Sequence, residues 1–191
     1  MMSVFAIDPG TQGACAFVSP DVVAASKLHY RPSGKRGGRE LEVNSLIDTI
    51  RLSAPDLIVV ERQWSRPGNA ARAGTSMMLN YGKLLAAIDA ARINCELLTI
   101  TPQTWQRLLF PGAKDTKAAS IAFATSALPD QSLIPPRGRV PSDGIADALC
   151  IGWCGLYYTD PLREAPSTQE TMIDVSQKLT PAFVWETRKR K

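Results

Sequence analysis

The order of apolar segments predicts an α/β protein, with a mixed five-stranded sheet and helices on both of its faces. Three observations lead there. The first thirty residues hold three short apolar runs separated by turn residues, the pattern of an antiparallel meander. After them, short aliphatic runs alternate with stretches of helical spacing, the pattern of βαβ units. Acidic residues also stand directly at the ends of two of the most apolar runs, and open α/β sheets build their sites at strand ends.

Each element follows from local pattern. Residues 3–8 read as a buried strand, and Gly13–Val18 and Val22–His29 as two more, joined at Ser19-Pro20-Asp21. Residues 31–40 are polar and Gly-rich and read as a loop. Leu41–Ser53 carries apolar residues at 43, 46, 47 and 50, which is helical spacing. Leu57–Val60 is a short β-branched strand, followed by a polar loop over Arg62–Thr75. Ser76–Arg92 reads as a helix with Met77, Leu84, Ala87, Ile88 and Ala91 among its apolar positions. Leu97–Ile100 is the fifth strand. Thr101 caps a short helix with Pro102 in its first turn. Asp115 or Thr116 opens another helix, which runs to about Leu128. Pro129–Pro141 is a loop, and Ser142 caps a final helix reaching about Tyr157. From Asp160 onward Pro, Thr, Ser and Gln dominate. The chain is therefore expected to divide into a domain over 1–160 and a tail over 161–191, which ends Arg188-Lys189-Arg190-Lys191.

At 191 residues and 45% hydrophobic, the chain can build one ordinary core. No apolar run is long enough to span a bilayer, and the N-terminus lacks the basic stretch and apolar core of a signal peptide. A cytoplasmic protein with no membrane partner is expected. Cys15, Cys95, Cys150 and Cys154 form no CxxC pair and read as small buried hydrophobes. The net charge of +4 is a weak pointer to nucleic acid. Its distribution says more: Arg31, Lys35, Arg36 and Arg39 share a Gly-rich stretch, Arg62, Arg66 and Arg72 follow Glu61, and Arg137 and Arg139 precede Asp143.

The acids carry the chemistry. Asp8 ends the run Val4-Phe5-Ala6-Ile7, Glu61 ends Leu57-Ile58-Val59-Val60, and Asp143 and Asp147 open an apolar helix. An acid placed directly after a buried strand is costly unless a cation or a proton compensates it. Several such places suggest one destination, and a pair of Mg²⁺ ions would explain it. Each acid also has a plainer reading. Asp8 lies in the good turn sequence Asp-Pro-Gly, Glu61 could be a surface acid, and Asp143 could serve only the helix dipole. Asp147, flanked by Ala146, Ala148 and Leu149, has no comparable alternative.

Over residues 3–157 the sequence resembles the RuvC family of Holliday-junction resolvases, phage-type members in particular, within the RNase H-like superfamily. Ile7-Asp8-Pro9-Gly10 resembles the family's first-strand motif, and Val60-Glu61-Arg62-Gln63-Trp64 its second acidic motif, with an aromatic three residues after the Glu. Thr101-Pro102 and Gly112–Lys117 resemble the family's threonine-proline turn and later basic segment, and Ser142–Leu149 its terminal acidic helix. The final acids are four apart here where many bacterial members space them by three, and either spacing keeps them on one helix face. Ser142 stands where some relatives carry a His, and the tail has no counterpart.

The resemblance implies an RNase H-like sheet and a metal-dependent endodeoxyribonuclease cutting Holliday junctions, forks or flaps. Asp8, Glu61, Asp143 and Asp147 would be its catalytic metal ligands, for two Mg²⁺ ions or Mn²⁺ in their place. It also implies products with 5′-phosphate and 3′-hydroxyl ends, a homodimer matched to the two-fold junction, and a bacterial or phage-infected cytoplasm. Trp64 would stack on an opened base, or pack under its own loop. Lys117 and its rival Lys114 would touch phosphate or the edge of the site. Arg62, Arg66, Arg72, Lys35, Arg36, Arg137 and Arg139 would grip the DNA backbone. Trp105 and Trp153 read as core or dimer contacts, and His29 as structural. The apolar surplus of the Ser76–Arg92 helix (Met77, Met78, Leu79, Leu84, Leu85, Ile88) marks it as the expected dimer face. Two other readings compete. One is a non-catalytic branched-DNA-binding module, which would not need four acids. The other is a piece of an actin-like or sugar-kinase-like ATPase, whose first phosphate loop Asp8–Gly13 resembles but whose second has no counterpart here.

Overall fold

The computed structural model describes residues 2–10, 12–33, 38–64, 71–127, 133–135, 138–159 and 186–188. The expectations for Lys35, Arg36, Arg66 and Arg137 fall outside these residues, as do the side chain of Arg72 and most of the 161–191 tail. The meander is formed by β1 (Val4–Asp8), β2 (Ala14–Val18) and β3 (Val23–Lys27), each antiparallel to the next. After helix α1 (Val43–Ser53), strand β6 (Leu57–Glu61) returns parallel to β1, and after α2 (Ala71–Ala91), β7 (Glu96–Ile100) runs parallel to β6. The five expected strands thus stand in the order β3-β2-β1-β6-β7. A sixth, β8 (Glu186–Arg188), adds antiparallel to the β7 edge. Helices α3 (Pro102–Leu109), α4 (Thr116–Ala127) and α5 (Asp143–Thr159) complete the domain.

Alternation along the central strands sorts two cores. Val4, Ala6, Leu57, Val59, Leu98 and Ile100 face α3, α4 and α5, where they meet Trp105, Phe123, Leu149 and Ile151. Phe5, Ile7, Ile58 and Val60 face the other way, onto Leu46 and Ile50 of α1 and Leu84 and Ile88 of α2. β1 and β6 are buried on both faces, which is why they read as unbroken apolar runs. Helix ends follow their caps. Thr101 accepts from the Thr104 N–H at 3.2 Å, Asp115 from the Lys117 and Ala118 N–H groups, and Ser142 from the Ile145 N–H. Asp115, not Thr116, is therefore the cap of α4.

Three sequence expectations need correction. The stretch 31–40 is not simply a loop: β4 (Tyr30–Ser33) and β5 (Gly38–Leu41) pair as a separate antiparallel hairpin. Side chains from α2, and one contact within the hairpin, hold it. Asn80 of α2 accepts from the Leu41 N–H and donates to the Arg39 carbonyl, Lys83 pairs with Glu40, and Arg39 lies over the Tyr30 ring. Local composition does not show such anchors. Second, α2 starts at Ala71, inside the stretch read as loop up to Thr75. Third, its apolar surplus is smaller than expected, because Leu84 and Ile88 lie in the core and the exposed large residues are Met78 and Leu79.

Helix α5 packs closely on β1 and β2 because it carries glycines where it crosses them. A Cβ on Gly152 would stand 2.5 Å from Val18 Cγ2, whereas one on exposed Gly82 of α2 would meet nothing within 4 Å. Glycine costs a helix about 1 kcal/mol relative to alanine, while overpacking a core costs about 1–3 kcal/mol. Gly82→Ala should therefore stabilise the protein by about 1 kcal/mol, and Gly152→Ala should destabilise it. Urea midpoints of the two variants test the pair, and a stabilised Gly152→Ala would show that α5 does not lie this close to the sheet.

Candidate active site

The sheet register brings the acids together. Ile7 lies opposite Val60 in the parallel β1–β6 pair, so Asp8 and Glu61 occupy adjacent strand ends. Asp8 pairs across β2 with Ala14, and Glu61 pairs with Ile100. Residues in one row across a sheet share a face. Ala14 and Ile100 belong to the core under α5, so Asp8 and Glu61 point to the α5 side. The first turn of α5 arrives at the same place. A Cβ on Gly144 would stand 3.2 Å from Asp8 Oδ2 and 2.5 Å from the Gln12 carbonyl, so only glycine admits this approach. Asp143 and Asp147 flank that contact, one turn apart on the helix.

Asp8 and Glu61 are buried, with relative exposures of 8% and 7%. Burial, the Gly10 N–H bond that opposes it, and the nearby charges of Asp147 and Asp143 leave the Asp8 carboxyl at a pKa of about 6. Burial and the Asp8 charge push Glu61 up to about 8, against hydrogen bonds from Trp105 and Gln63. Burial raises Asp147 to about 6, with the Ser120 hydroxyl beside it opposing. Asp143 goes the other way. Lys117 Nζ donates to its Oδ2 at 2.8 Å and holds it ionised. Gly10 N–H donates to Asp8 Oδ1 at 2.9 Å, and Tyr30 Oη donates to the Gly10 carbonyl, which ties the β4–β5 hairpin to the Asp8 loop.

Among the described residues no three His, Cys, Asp or Glu side chains close around one point as a finished metal cage. The four acids are neighbours rather than a formed coordination shell. Their chemistry nonetheless fits a hard divalent cation: all donors are carboxylate oxygens, and three of the four sit where ionisation is disfavoured until positive charge arrives.

The structure sorts the other expected residues. Lys117 reaches the site through Asp143, while Lys114 is exposed on the loop before α4. Trp64, 38% exposed, stands on the chain just beyond Glu61, as does exposed Arg62. Arg139 is exposed on the loop before α5. His29 bonds Ser45 through Nδ1, in keeping with a structural role.

Two site residues escaped the sequence reading. Lys27 pairs with Ala14 in the β2–β3 register and so lies in the same row as Asp8. Its Nζ donates to the Gln12 carbonyl at 2.5 Å. Burial lowers its pKa, with the Asp143 and Asp8 charges opposing. Counting residues back from the meander turn would have found it. Trp105, read as a core or dimer contact, lies in the core, and its Nε1–H donates to Glu61 Oε2 at 2.8 Å. The signal was the Thr101-Pro102 helix start, which follows directly on the strand beside Glu61.

The architecture matches solved structures. The chain is similar to Thermus thermophilus RuvC in complex with Holliday junction substrate, with a TM-score of 0.57 at 16% identity over 83% of this chain and 95% of that one. It is similar also to a second Thermus thermophilus RuvC structure, with a TM-score of 0.52 at 18% identity over 87% of this chain and all of that one. No protein-family model and no curated protein sequence matches it. The chain has a RuvC-like, RNase H-like fold, as its acidic motifs suggested.

The raised carboxyls set a pH dependence. A group whose folded pKa lies above its unfolded value gives stability that is full below the unfolded value and lost as pH rises through the folded one. Glu61 spans 4.5 to about 8, and Asp8 and Asp147 each span 3.8 to about 6. Asp143, held low, would act only in more acid solution. In chelator the melting temperature should therefore rise as pH is lowered from about 8.5 to about 5.5, and Glu61→Gln should flatten the upper half of that rise. A melting temperature that is constant or falls over this range would contradict the burial of these acids.

Proposed function

We propose that this protein is a metal-dependent endonuclease that hydrolyses phosphodiester bonds in branched DNA, with the Holliday junction as first candidate and forks and flaps beside it. The observation that carries the reading is the meeting of buried Asp8 and Glu61 with Asp143 and Asp147 at the strand ends of a RuvC-like sheet. One neighbour of this fold is described in complex with Holliday junction substrate. The four acids would hold two Mg²⁺ ions, or Mn²⁺ in their place, and metal bound there supplies the positive charge and water activation that phosphodiester hydrolysis needs.

The chain's own groups do the rest. Gly10 N–H fixes the Asp8 carboxylate, and Trp105 and Gln63 fix that of Glu61. Lys117, exposed at the rim on Asp143, is free to exchange that carboxylate for a phosphate oxygen. Trp64 offers a ring to an unpaired base beside the acids, and Arg62, Arg66, Arg72, Lys35, Arg36, Lys114, Arg137 and Arg139 supply backbone charge that makes binding salt-sensitive. A homodimer would present two such sites to a two-fold junction, and exposed Met78 and Leu79 on α2 favour that helix as the contact.

Asp8→Asn and Glu61→Gln should abolish Mg²⁺-dependent cutting of a synthetic junction while leaving its binding intact. Either variant cutting at the native rate, at matched folding, would remove the proposed role of these acids. Trp64→Ala should slow cleavage of an intact junction roughly ten- to a hundredfold more than that of a pre-opened fork, since base stacking contributes about 1–3 kcal/mol. Equal losses on both substrates, with a lowered melting temperature, would make Trp64 a packing residue.

A further inference from the structure

Glu61 is satisfied in an unusual way for a buried acid. Both of its oxygens accept hydrogen bonds, and among the described residues both donors are uncharged: Trp105 Nε1 on Oε2 at 2.8 Å and Gln63 Nε2 on Oε1 at 3.1 Å. A lysine or arginine in either place would satisfy the carboxylate but cancel the negative charge that a cation needs. A neutral donor orients the carboxylate and leaves its charge in the site. Each carboxylate oxygen has two acceptor positions, so among the described residues one on each remains open.

Trp105 is the better fixed of the two donors. It is 1% exposed, lies edge-on to Phe110 at 6.2 Å, and belongs to the first turn of a helix that Thr101 caps. The indole has one polar group, a donor, and here its partner is Glu61. Because the ring is packed, the direction of its N–H is set by the core rather than by solvent. Glu61 is thereby held in one orientation by the hydrophobic core beneath it.

We propose that Trp105 is a positioning residue for Glu61: its buried indole N–H holds the carboxylate uncompensated and aimed toward the Asp8 side, so that α3 sets the affinity of the site for a divalent cation. This rests on the nuclease reading for its functional meaning, but the bond itself can be observed without catalysis.

The test uses the full-length protein labelled with ¹⁵N. Its four tryptophans give four indole N–H resonances, assigned by single Trp→Phe variants. The Trp105 resonance should lie downfield and shift both in Glu61→Gln and on titration with Mg²⁺ alone. Trp105→Phe should weaken Mn²⁺ binding, measured by electron paramagnetic resonance without DNA, and lower kcat, each by roughly ten- to a hundredfold, the usual cost of losing a ligand's supporting hydrogen bond. Its KM for junction DNA should not change. Trp153→Phe, which removes an indole from the same apolar cluster, should keep native Mn²⁺ affinity and so control for lost packing. A Trp105 resonance indifferent to Glu61→Gln, or a folded Trp105→Phe with native Mn²⁺ affinity, would overturn the proposal. Native protein that cuts no branched DNA while the Trp105 resonance still follows Glu61 would strike down the nuclease reading and leave the positioning bond standing.

Discussion

Two carboxylates buried side by side at the ends of parallel strands oppose folding, and most of the surrounding architecture can be understood as holding them there. Asp8 and Glu61 each end a strand that is buried on both faces, so their backbones are fixed by the sheet centre. Asp147 adds a third charge from α5; its charge raises the pKa of Asp8, and the charges of Asp8 and Asp147 raise that of Glu61. Such an arrangement costs free energy unless protons or cations occupy it. A protein gains nothing in stability from this placement, which is the physical reason to read it as a site.

The rest of the fold sets the geometry. Close approach of α5 needs Gly144 beside Asp8 and Gly152 over β2, so the small residues of this helix decide where its two acids stand. The Trp105–Phe110–Phe123–Trp153 series of edge-on rings joins α3, α4 and α5 into one layer, and Glu61 is bonded to the first member of it. Lys117 reaches Asp143 from α4, and the β4–β5 hairpin reaches the Asp8 loop through Tyr30. Among the described residues, α3, α4, α5 and the β4–β5 hairpin therefore each carry or contact one of the acids or its loop. Motion of any one would be felt at the carboxylates.

The sequence made the sheet legible because β1 and β6 are short, apolar and ended by acids, and because helix caps at Thr101 and Ser142 are local chemistry. It made the four acids legible because a charge at the end of a buried run needs a reason. The β4–β5 hairpin was hidden because Asn80, forty residues away, supplies the bonds that hold it. The start of α2 was missed because a polar, Gly-containing stretch gives no apolar period to follow. Lys27 and Trp105 were missed for the opposite reason. Each fits its element so well, a strand residue and a core aromatic, that only the β2–β3 register for Lys27, and the start of α3 beside the Glu61 strand for Trp105, reveal a polar end near an acid.

Whether the four acids take up divalent metal decides what they are for. Diffraction from crystals soaked in Mn²⁺, recorded where manganese scatters anomalously, observes this without assuming any substrate. If they form the proposed metal site, anomalous peaks will stand within coordination distance of Asp8, Glu61 and Asp147, with Asp143 turned from Lys117 toward them. Manganese bound elsewhere on the protein while these carboxylates stay bare at saturating metal would contradict it.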